Sequence, residues 1–108
     1  MNIAQGDLFK PLEITLTLNG VAFALVETEG EVEGDEITLR WTDKEGTVTE
    51  VEPTIVDATA GEIEHVFEAG QTDVIGPCAG QVTVTRAGKP LSFPDDGSFF
   101  AWTVTRKI

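Results

Sequence analysis

Few residues of this 108-residue chain could do acid–base or nucleophilic chemistry: one histidine, His65, one cysteine, Cys78, and 19 carboxylates. A hydrolytic centre needs a base within hydrogen-bond reach of its nucleophile. His65 lies in EIEHVF, in period-two register with Ile63 and Phe67, and so reads as an inward or half-buried packing histidine. Ser92 and Ser98 lack the flanking residues of a nucleophile turn. Cys78 is flanked by Gly76, Pro77, Ala79 and Gly80, with no charge to stabilise a thiolate, and it shares register with Val82. It reads as a buried small hydrophobe. One cysteine and one histidine cannot complete a four-ligand zinc site without carboxylates. The glycines of AGQ and AGK lack the lysine–serine ending and the helix of a phosphate loop. No pair among the 19 acids is singled out for glycoside hydrolysis. The expectation is a non-enzyme without metal or cofactor.

The acids are unevenly placed. Residues 27–36, ETEGEVEGDE, hold Glu27, Glu29, Glu31 and Glu33 at alternate positions, followed by Asp35 and Glu36. In an extended chain those four glutamates project from one face. Thr28, Gly30, Val32 and Gly34 are left on the other, with little to bury, so the segment is expected as an exposed loop or edge hairpin. There its charge would block unwanted edge pairing. Two other uses stay open. Calcium needs six to eight converging oxygens, and only a bend at Gly30 and Gly34 could help to gather them. A docking surface for a basic partner would use all six acids as candidates: Glu27, Glu29, Glu31, Glu33, Asp35 and Glu36. A seventh candidate lies in SFPDDGSFFAWTV. Phe100, Trp102 and Val104 share one strand face, which leaves Phe99 on the other as a candidate interface anchor.

The formal charge of −12 disfavours nucleic acid and anionic lipid, because phosphate contacts need lysine or arginine and only 7 are present. No apolar run approaches the roughly 18 residues of a membrane span. The opening MNIAQGDLFKPLE lacks the charged-then-apolar order of a secretory signal. A lone cysteine fits assembly in a reducing cytoplasm.

Period-two patterning recurs, and helical periodicity does not. PLEITLTL alternates Leu12, Ile14, Leu16 and Leu18 with polar residues. Asn19-Gly20 then predicts a tight hairpin turn, with VAFALV (21–26) returning as a strand. EITLRW (36–41), TVTEVEP with its edge-marking Pro53, TIVD (54–57), EIEHVF (62–67), QVTVT (81–85) and FFAWTVT (99–105) continue the pattern. TDKEG (42–46), DATAG with Gly61, and RAGK (86–89) supply turns. This predicts an all-β antiparallel sandwich of about seven or eight strands, one domain over 1–108, with residues 1–10 as an extended N-terminal arm.

Four stretches carry a resemblance: GDLFKPLEITL, IVDATAGEIEHVF, QTDVIGPCAGQVTVT and GKPLSFPDDGSFFAWTV. From Gly6 to Val104 the chain resembles the N-terminal domain of phage baseplate upper proteins and its small stand-alone virion relatives. The resemblance implies an immunoglobulin-like module of a tail, baseplate, neck or capsid surface, assembled in the bacterial host cytoplasm and resident in the virion. Its partners would be other virion proteins, its oligomeric state would be set by the assembly, and it would carry no catalytic residues. The chain departs from the family where a tyrosine usually follows the Thr-Asp…Gly segment. Pro77-Cys78 stands there and no tyrosine exists anywhere, so that corner must be tied in another way. The competing expectation is a carbohydrate- or host-surface-binding sandwich, with Trp41 or Trp102 stacking on sugar rings.

Overall fold

The computed structural model describes residues 1–106. It is all-β, with eleven strands: β1 (Asn2–Ala4), β2 (Leu12–Thr15), β3 (Thr17–Leu18), β4 (Val21–Ala22), β5 (Glu36–Thr42), β6 (Val48–Val51), β7 (Thr54–Asp57), β8 (Glu62–His65), β9 (Gly76–Arg86), β10 (Lys89–Phe93) and β11 (Phe100–Thr105). A six-stranded sheet runs β1-β11-β9-β5-β6, with β10 also on β9, and faces a three-stranded sheet in the order β2-β8-β7. All pairings in these sheets are antiparallel except β1 with β11. Lettered as in immunoglobulin domains, the small sheet is B-E-D and the large one joins G, F, C and C′.

Eleven strands replace the expected seven or eight because long strands are broken. β10 and β11 lie successively along the same edge of β9, with Phe93 opposite Val82 and Phe100 opposite Gly80. They are two halves of one G strand, interrupted by the excursion 94–99. VAFALV does not return as a full strand. Only Val21 and Ala22 pair, because the backbone beyond them changes partners: the Phe23 amide donates to Leu16, and the Leu25 amide to Ala58. The expected turns form where the dipeptides placed them, with Asn19 and Gly20 at φ 53° and 80° and Ala87 and Gly88 at 52° and 77°.

The N-terminal arm is a structural member. Ile3 is fully buried, and β1 pairs in parallel with β11 through Ile3 and Val104. Beyond β1 the arm ties down the chain between β8 and β9. The Gly6 amide donates to the Thr72 carbonyl, the Gln5 side-chain amide to the Asp73 carbonyl, and the buried Thr72 hydroxyl to the Asp7 carbonyl. These bonds anchor the segment that leads into β9.

Alternation places Cys78, Gly80, Val82 and Val84 of β9 inward against Ile37, Leu39, Trp41, Phe93, Trp102 and Val104. Trp41 lies opposite Gly80 from β5, and Trp102 opposite Cys78 from β11. Their rings meet edge-on at 5.6 Å, and Trp41 also contacts His65 at 5.5 Å and Phe67 at 6.0 Å. Gly80 is what lets two indoles converge on one strand. A Cβ there would stand 3.1 Å from the Trp102 ring and 3.2 Å from the Arg40 carbonyl. Gly80→Val should therefore overpack the cluster and destabilise the fold by about 2–3 kcal/mol. Urea unfolding followed by tryptophan fluorescence would register this as a lower midpoint.

Candidate functional site

The acidic segment 27–36 is a closed loop with a locked base. At its tip Glu29 and Val32 exchange backbone hydrogen bonds of 3.1 and 2.9 Å across a turn whose first central residue, Gly30, has φ 58°. At its base the Asp35 amide donates to the Val26 carbonyl, and the Val26 amide donates back to Asp35 Oδ2, both at 2.8 Å. Between base and tip the Gly34 amide donates to the Thr28 hydroxyl, and a Cβ at Gly34 would overlap the Thr28 amide nitrogen. The glutamates therefore do not line one face of a straight strand. Glu27 and Glu29 occupy one limb, Glu31 is the second central residue of the turn, Glu33 lies on the other limb, and all four are exposed.

Arg86 is the hub of this base. Its Nε and Nη2 donate to the two Asp35 carboxylate oxygens at 2.7 Å each, a bidentate charge-assisted pair. Nη2 also donates to the Ala24 carbonyl at 3.0 Å, and the guanidinium lies 4.9 Å over the Phe23 ring, which itself packs on Phe93. The Asp35 side chain is 1% exposed and that of Arg86 45%. Asp35 is thus no docking charge: Arg86 already neutralises it and solvent is excluded from it. The Arg86 hydrogen bond, aided by the Val26 amide, holds its carboxyl below the usual range against the opposing effect of burial. Glu36 stays exposed at the start of β5.

Strand register builds a second acidic surface that no single stretch of sequence displays. On the outer face of the three-stranded sheet Glu13 lies directly opposite Glu64, and Glu62 opposite Thr15. Like charges in facing positions weaken a sheet. The pattern was invisible in sequence because these acids come from segments about fifty residues apart.

The groups with reactive potential are occupied or buried. His65 is 7% exposed, and its Nε2 sits 2.8 Å from Gln71 Oε1, which also accepts the Glu68 amide. Cys78 is buried opposite Trp102, and burial, together with the nearby Asp43 charge, pushes its thiol up, away from the thiolate. Among the described residues no three histidine, cysteine or acidic side chains are placed to hold one metal ion. Phe99 is 60% exposed.

Fold and surface together define an immunoglobulin-type sandwich with dense carboxylates on its surface. No family model and no curated protein matches the chain.

Asp35→Asn should loosen the loop and cost about 1–2 kcal/mol, because it leaves Arg86 without its anion. The gap should depend on pH with a fixed sign. Since the folded-state carboxyl titrates below its unfolded value near 3.9, the wild-type advantage is complete above about pH 4 and shrinks as pH falls through the folded-state pKa. Urea unfolding of both proteins between about pH 2 and 6 would measure it, with amide exchange at Val26 reporting the loop itself.

Proposed function

We propose that this chain is a non-enzymatic phage virion component, an immunoglobulin-like module of the tail, baseplate, neck or capsid surface that attaches through protein–protein contacts. The observation that carries this reading is the clamped loop. Four exposed glutamates stand on a hairpin whose base is fixed by a bidentate ion pair. A held array of like charge loses little conformational freedom on meeting a basic surface, and it steers the encounter at long range. The elongated form suits such a role as well. The radius of gyration is 14.4 Å, against about 13 Å for a compact domain of this length. The phage assignment itself draws on the four motif stretches, which fall on the turns and strands of this sandwich.

The competing sugar-binding reading needs accessible indoles. Trp41 and Trp102 are 2% and 3% exposed and face each other across the core, so neither offers a stacking face. Iodide should accordingly quench the native protein's tryptophan fluorescence far less than that of the urea-unfolded chain. Strong native quenching would favour the sugar module.

Replacing Glu27, Glu29, Glu31 and Glu33 together by glutamine should weaken attachment to particles about tenfold at low salt, with the difference closing as ionic strength rises. Occupancy on purified particles, measured by quantitative mass spectrometry, is the readout. Unchanged occupancy at low salt would refute the loop's role.

A further inference from the structure

The outer face of the six-stranded sheet is unlike the rest of this surface. Its outward positions on β5, β9 and β11 carry Thr38, Thr83, Thr85, Ala101 and Thr103, and the acids Glu36, Glu50 and Glu52 gather at one side, along β5 and β6. In a chain of net charge −12 the part of this plane over β9 and β11 is uncharged. One row of side chains crosses it. Glu50 on β6 lies opposite Arg40 on β5, and Arg40 opposite Gln81 on β9. Phe99 follows, because its neighbour Phe100 pairs with Gly80 and the Gln81 side chain reaches the Ser98 carbonyl at 3.4 Å. Phe99 and Arg40 are both exposed, and among the described residues Arg40 makes no ion pair.

We propose that this face packs against the same face of a second copy of the chain. Interface cores are poor in lysine and carboxylates and enriched in aromatic residues and arginine, which describes the middle of this plane, from Arg40 to Phe99, and none of the acidic surfaces. Two copies meeting through the three-stranded sheet or the 27–36 loop would oppose dense carboxylates. Here they would not. The row is also self-complementary. A two-fold axis lying along β9, between the copies, sets each β5 over the β11 side of the other. Each Arg40 guanidinium then meets the Phe99 ring of the opposite copy, in two reciprocal cation–π contacts. The sheet spans about 20 Å across its strands, which places the buried area toward the low end for specific interfaces and makes the dimer a weak one. The acidic loop takes no part in it, so this inference stands or falls apart from the functional reading above.

Sedimentation equilibrium of the full chain up to about 1 mM tests it. The wild type should dimerise with rising concentration. Arg40→Ala and Phe99→Ala should each weaken dimerisation about tenfold, and the double variant should be little worse than either, because both singles remove the same contact. Urea midpoints of the variants should stay near wild type, since both side chains are exposed. A chain that remains monomeric throughout, a dimer indifferent to both substitutions, or strictly additive effects of the two would each overturn the proposal.

Discussion

The two layers of this sandwich close over Gly80, the inward position of β9 that has no side chain. β9 is paired along both edges, with β5 on one side and the β10/β11 strand on the other. Each flanking strand brings a tryptophan toward it, and the space above Gly80 is where the two indoles meet. From there the contacts extend into the opposite sheet through His65 and Phe67. Edge-on aromatic pairs add to simple area burial, so this cluster joins the sheets by geometry as well as by hydrophobicity. His65 belongs to it as a packing ring whose Nε2 is paired with Gln71.

The same strand sets the base of the acidic loop. With Glu36 opposite Thr85, the next residues outward are Asp35 and Arg86, so the β5–β9 register itself delivers the carboxylate to the guanidinium. A slip by one residue would separate them and would also turn Trp41 outward. Core packing and loop orientation therefore rest on one alignment. The chain that leads into β9 is tied down by the protein's own first residues, through Gly6 and Gln5.

Much of this could be read from the sequence, and the exceptions have physical causes. The alternation in β5, β8 and β9, the two positive-φ dipeptide turns and the inward setting of His65 and Cys78 were legible because each depends on neighbours a few residues away. β1 was not, since a three-residue strand with one apolar side chain has no period to detect. β10 was masked by Pro90 and Ser92, which face outward while Leu91 and Phe93 supply the buried pair. VAFALV looked like a strand because Phe23 and Leu25 do face the core, although the backbone between them serves three different partners. Asp35 looked like one of six equivalent acids. Its difference lies in a residue 51 positions away, and only strand order reveals it.

Charge placement separates two kinds of surface. Solubility alone could be met by carboxylates spread over every exposed face, and it gives no reason to set Glu13 directly against Glu64 while the wider sheet carries threonine and alanine. The bases are sorted as well. Among the described residues, Arg40, Lys44, Arg86 and Lys89 lie on strands or turns of the six-stranded sheet, Arg106 directly follows β11, and Lys10 donates to the Asn2 carbonyl of β1. Such a division would serve the proposed dimer, because the acidic face repels wrong self-contacts while the uncharged middle of the wider sheet stays free for the right one.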